Sequence, residues 1–215
     1  MTNSCDLLTN LITPQVAMSL VPAFMSAYSM ADDASKSIDF LGGELRTQIA
    51  PHLKNWALEF EIKRRAEKGL IPFHCEFVTN KSRNHSHVEL LSGNWRLTVS
   101  QVCRPLDIPR ESIFRNKHSL DGQLYFSASG IEEYDVSCEN GRIYAILTHG
   151  WQTAIPAFIN CGIPSSDMKS WVQHLDMLEL LRDMATEDPL PPNDDIILEF
   201  NNHIDEKASN YSKEA

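Results

Sequence analysis

Apolar positions fall into two rhythms along the chain, one at helical spacing and one at strand spacing. Thr13-Pro14 reads as a helix start, with Thr13 as N-cap and Pro14 at the first helical position. Ala17, Leu20, Val21, Phe24 and Tyr28 then recur at helical intervals. Pro22 predicts a kink or an interruption, and Gly42-Gly43 a break. A shorter helix is expected from Glu44 to about Ala50. Pro51 then opens the longest one, which reaches about Lys68 with Leu53, Trp56, Ala57 and Phe60 as its inner stripe and Gly69 as its C-cap. Lys63, Arg64, Arg65 and Lys68 fall in its last turns, where cations suit the helix dipole.

From Phe73 the period changes to two: Phe73, Cys75 and Phe77 alternate with His74, Glu76 and Val78. Residues 87–92 and 95–103 flank Gly93-Asn94, a two-residue hairpin turn. With that turn fixed, Ser92 faces Trp95, Leu91 faces Arg96, Leu90 faces Leu97 and Glu89 faces Thr98. Val88, Leu90, Leu97 and Val99 then form a core face, and His87, Glu89, Arg96, Thr98 and Ser100 the opposite one. A second hairpin is expected around Asn140-Gly141, between 134–139 and 142–149. Residues 155–161 read as a further strand. An amphipathic helix capped by Ser165 or Ser166 should carry Met168, Trp171, Val172, Leu175 and Leu178 on one face.

This pattern predicts an α+β fold: a helical N-terminal third, an antiparallel sheet of about five to six strands built on two hairpins, and a C-terminal amphipathic helix. One domain is expected over residues 1–187, helical to 70, mainly sheet over 71–163 and helical over 164–187. Residues 188–215, acidic and nearly free of aromatics, read as a disordered tail, with 196–200 as a short docking segment inside it. There is no βαβ alternation, no glycine-rich phosphate loop and no nucleophile elbow, which lowers dinucleotide-binding and α/β-hydrolase readings.

Charge refines the picture. The net charge of -10 is segregated along the chain. Residues 1–61 carry 3 basic and 7 acidic side chains, 62–118 carry 11 and 5, and 119–215 carry 5 and 17. The overall sign disfavours a general nucleic-acid coat, while the basic middle can still hold an anion. Five widely spaced cysteines with no C-x-x-C pair disfavour a zinc ribbon or a secreted disulfide scaffold. The first residues lack a basic region and a long apolar run, so a soluble cytoplasmic protein without membrane partners is expected.

Three sets of residues can carry chemistry. In His85-Ser86-His87-Val88-Glu89, positions i, i+2 and i+4 of a strand point the same way, roughly 6.5–7 Å apart. His85, His87 and Glu89 are therefore a candidate ligand set for a divalent metal. His87 and Glu89, with His149 as a further ligand or base, are the candidate acid–base pair. The alternative is an ordinary solvated sheet face. Arg83, Arg96, Arg104, Arg110 and Arg115, with Lys117 and His118 nearby, are candidates for bidentate capture of phosphate or carboxylate, or else scattered surface charges. Thr148-His149-Gly150-Trp151 ends a strand, with His149 at the rim of the core face, where packing is the simpler role.

His87 and Glu89, then G-N-x-x-L-T-x-S-x-V from Gly93 to Val102, Pro109-Arg110 and Phe114-Arg115 carry a resemblance over residues 80–180. The segment is similar to uncharacterised bacterial proteins encoded beside ImmA/IrrE-type metallopeptidases in toxin–antitoxin-like or mobile-element loci. The resemblance implies an accessory role in such a locus or in phage defence, and assigns no catalytic residue. A binding or regulatory protein acting through protein–protein contacts is the preferred expectation. A metal-dependent or His/Glu acid–base hydrolase or nuclease comes second, and a nucleic-acid or phosphate binder using 62–118 third.

Overall fold

The computed structural model describes residues 7–38, 46–79, 86–120 and 142–187. The chain divides into two compact units, Met1–Leu181 and Arg182–Ala215. Of the second unit, residues 182–187 are described, and they are helical.

The first unit begins with α1 (Leu7–Leu11) and α2 (Pro14–Ser37). Thr13 caps α2 as its sequence predicts: its backbone is extended and its Oγ1 accepts from Val16 N at 3.3 Å. Pro22 does not interrupt α2, which continues through it. The two helices expected on either side of Pro51 are one, α3 (Arg46–Glu67). Gly69, at φ 68°, ends its C-terminal turn, where Leu70 N bonds to Arg65 O. No helix of the described residues is long and apolar enough to cross a membrane.

Six strands follow, β1 (His74–Thr79), β2 (Ser86–Ser92), β3 (Trp95–Gln101), β4 (Ile143–His149), β5 (Ile159–Pro164) and β6 (Trp171–Asp176), in spatial order 1-2-3-4-5-6. The β2–β3 hairpin has the register read from the sequence, with Glu89 opposite Thr98 and Ser92 opposite Trp95. Gly93 supplies the positive φ, 54°, at the first turn position.

The sheet is mixed, not purely antiparallel, because β3 and β4 run parallel. Parallel neighbours need a crossover of a dozen or more residues, and here the connection covers 102–142. Its helical part at 113–120 is α4. The expected Asn140-Gly141 turn and the strand before it lie outside the described residues. The C-terminal element also differs from expectation. Ser165 closes a turn instead of capping a helix: its Oγ accepts from Lys169 N and Ser170 N at 3.2 and 3.1 Å. Trp171–Asp176 then joins the sheet. The helix α5 (Met177–Glu187) starts one element later, with Asp176 Oδ1 accepting from Leu178 N and Glu179 N at 2.8 and 3.1 Å.

Register partners share a face. One face carries Val88, Leu90, Leu97, Val99, Ala145, Leu147 and Cys161, all buried. Helices α1 to α3 lie on this side, contributing Leu20, Phe24, Tyr28, Leu58 and Ile62 to the core. The other face is closed by the β3–β4 connection and the 165–170 turn. Tyr144, Ile146 and Met168 make a buried cluster there, with Ile108 and Trp171 against it.

Gly162 lies under Trp171. A Cβ at this position would sit 2.5 Å from the indole Cε3, and Trp171 Nε1 is anchored to Leu106 O at 3.1 Å. The ring cannot move without releasing the connection. Gly162→Ala is expected to destabilise the protein by roughly 1–3 kcal/mol, measured as a shift of the urea midpoint at unchanged slope.

Candidate functional site

The polar face of the first hairpin is buried, not solvated. His87 is 8% exposed and Glu89 5%. The cover is α4, whose Phe114 and His118, one helical turn apart, both point down to the sheet. Phe114 stacks on His87 with ring centroids 4.1 Å apart, and His118 lies 5.4 Å from the Tyr144 ring.

Glu89 is the centre of the arrangement. Its Oε1 is 3.2 Å from His87 Nε2 and 3.3 Å from His118 Nε2, and its Oε2 is 3.2 Å from Arg96 Nε. Arg96 Nη1 also lies 2.7 Å from His118 Nδ1. A guanidinium only donates, so this nitrogen accepts, and the Nε2 proton of His118 goes to Glu89. Burial raises the Glu89 carboxyl, but bonds from His118 and His87 and the charge of Arg96 outweigh it and hold the group well below the usual carboxylate range. A carboxylate held that low is a weak proton acceptor near neutral pH. Its geometry is that of a clamp joining β2, β3 and α4.

Beside the clamp, Thr98 Oγ1 and Tyr144 Oη are 2.7 Å apart. Burial pushes the Tyr144 phenol up to about 12, so it stays protonated. Arg115 reaches across from α4 to Ser100 Oγ at 3.1 Å and also bonds Tyr144.

The expected groups do not converge on one point. His149 is buried on the opposite, helix-covered face, paired with Gln101 in the register. It is neither at the rim nor near His87. The Tyr28 hydroxyl lies 2.7 Å from its Nδ1, and Phe24 meets its ring edge-on at 5.6 Å. His85 and Arg83 lie outside the described residues. Among the described residues no group of three or more His, Cys, Asp or Glu side chains is placed to hold a metal ion. The arginines separate as well: Arg96 is tied to Glu89, Arg104 and Arg110 are exposed on the connection, and Arg115 points inward.

A second feature was not read from the sequence. Trp56 and Phe60, expected in the core, are 60% and 55% exposed, and Phe77 of β1 is 43% exposed. The buried residues of α3 are Lys54, Leu58, Glu59, Glu61 and Ile62, with Glu59 Oε1 accepting from Asn55 Nδ2 at 3.2 Å. Lys54 Nζ is held by Trp151 O and Thr153 O at 2.8 and 2.6 Å, and Glu61 by Arg64 and Arg65 at 2.7 and 2.8 Å. The polar residues inside are thus satisfied, and the aromatics are left outside. They line a groove of about 470 Å³ between α3 and β1, with Glu59, Lys63, Arg64 and Glu67 around it. Lys63 Nζ sits 5.2 Å from the Phe77 ring centroid. The 56, 60, 63, 67 spacing is itself helical, and it is the signal that could have revealed a second stripe.

Comparison with protein-family models, curated proteins and solved structures gives no match.

Proposed function

We propose that the protein binds a partner protein, taking an extended segment of that partner into the groove between α3 and β1. The observation that carries this reading is the grouping of Trp56, Phe60 and Phe77, three large aromatics exposed together on one surface. Large exposed apolar patches rimmed by charge mark interaction sites, and buried aromatics dominate interface energetics. The conformation of the occupant follows from β1. It is an edge strand, paired with β2 on one side and with no strand among the described residues on the other. A segment added at that edge would project alternate side chains toward the face that carries Phe77 and α3, as in strand-addition recognition.

This reading is favoured over acid–base chemistry at His87 and Glu89 because that pair lies under α4 with its carboxylate already committed. The test is selection of peptides from a displayed random library on the full chain. Enriched sequences should alternate apolar residues over five or six positions. Their affinity should fall at least about 30-fold in Trp56→Ala/Phe60→Ala, the scale of a hot spot worth about 2 kcal/mol. Because both side chains are exposed, the variant should keep its folding stability within about 1 kcal/mol. Peptides that bind the double variant as well as the parent would overturn the reading.

A further inference from the structure

Arg115 differs from Lys54 and Arg96 in what faces it. Lys54 is held by two carbonyls, and Arg96 faces Glu89. Arg115 is half-buried, yet among the described residues it has no carboxylate partner. Its contacts are Arg110 O at 2.8 Å from Nη1, Ser100 Oγ at 3.1 Å from Nη2, and the neutral Tyr144 hydroxyl. Its Nε is buried and makes no hydrogen bond. A guanidinium that has given up part of its hydration is stabilised by an anion beside it.

A second, independent feature lies beside it. Thr148 is the register partner of Ser100 on the same face of the parallel pair. It is wholly buried, and its Oγ1 has no hydrogen-bond partner. Next across the sheet, Asn160 donates its Nδ2 to Pro105 O at 2.8 Å. The hydroxyl-bearing Ser100 and Thr148 are therefore neighbours on the strand face that the Arg115 guanidinium also meets. Phe114, 5.0 Å from the guanidinium carbon, closes one side.

We infer that Arg115, with the Ser100 and Thr148 hydroxyls, forms a binding site for a small oxyanion, a carboxylate or a phosphate group. Both ligands share the paired oxygens that a guanidinium fork binds. The site is separate from the aromatic groove and stands whether or not the groove binds a partner.

The experiment measures thermal stability of the full chain against increasing inorganic phosphate and, separately, acetate. Each series is matched in ionic strength with chloride. A ligand that binds only the folded state raises the melting temperature as a saturating function of its concentration. Such a curve with phosphate, acetate or both, absent with chloride, is expected for the parent. Arg115→Lys keeps the charge but loses the fork, and should weaken the response at least about tenfold. Thr148→Val keeps the shape and should weaken it several-fold, which decides the matter even if Arg115 variants fold poorly. The relative strength of the two anions assigns the ligand to the phosphate or the carboxylate class. A response that chloride reproduces, that does not saturate, or that persists unchanged in Arg115→Lys and Thr148→Val would overturn the inference.

Discussion

Replacing Glu89 with Gln is expected to cost roughly 3–5 kcal/mol of folding stability. The substitution keeps the shape of the side chain, so no cavity forms. What it removes is the single negative charge that His87, His118 and Arg96 surround. The Arg96 guanidinium is then left half-enclosed without a counter-charge, and removal of one partner from a buried ionic group is far more costly than the pair is worth intact. A domain of this size has about 5–15 kcal/mol in total, so the variant should sit close to unfolding. Urea denaturation followed by tryptophan fluorescence measures it. A loss under about 1 kcal/mol would mean that the clamp is not what fastens α4 to the sheet. Replacing Glu89 and Arg96 together with Leu and Met should recover part of the loss, because no charge is then left unpaired.

The second large effect is acid destabilisation through His149. Burial pulls this imidazole down to about 4 in the folded protein. The groups that face it from α2 and α3 are the Tyr28 hydroxyl, the Phe24 ring and the Lys54 ammonium. The Lys54 charge opposes a second cation there. In the unfolded chain the imidazole takes its proton near 6.5. A group whose folded pKa is depressed gives stability that is complete above the unfolded value and lost as pH falls toward the folded one. The expected loss is on the order of 3 kcal/mol between about pH 6.5 and pH 4. His149→Gln should flatten that part of a melting-temperature profile and leave the steeper fall below about pH 4.3. There the depressed carboxyl of Glu89 loses its contribution by the same rule. A parent profile that is level from pH 6.5 to 4 would contradict the assignment.

What could be read from the sequence was set by local chemistry. Thr13-Pro14 and Gly93-Asn94 fix their own geometry, so the start of α2 and the entire β2–β3 register follow from a few residues. The polar face of that hairpin follows too, and with it His87, Glu89 and Arg96 as neighbours. What covers that face does not. Whether it meets water or α4 depends on a crossover between strands some forty residues apart, and two-residue periodicity reads the same in either case. The parallel β3–β4 pair was illegible for the same reason. Trp171–Asp176 is a short, mixed run that suits a strand or the first turns of a helix, and its pairing with β5, where Gly162 leaves room for the indole, makes it a strand. On α3, apolar residues occupy two stripes. Periodicity cannot say that Leu58 and Ile62 go inside, with Lys54 and Glu61 satisfied beside them, while Trp56 and Phe60 stay outside. His149 was legible as a core-face residue, but its burial under α2 was not.

Amide hydrogen exchange of the full chain, with and without a peptide selected on it, tests the central claim most directly. Occupation of the groove by an added strand predicts new protection over residues 74–79 of β1 and little change over 113–120. Protection confined to 86–101 and 113–120, with β1 unchanged, would place the working surface at the covered polar face and contradict the account.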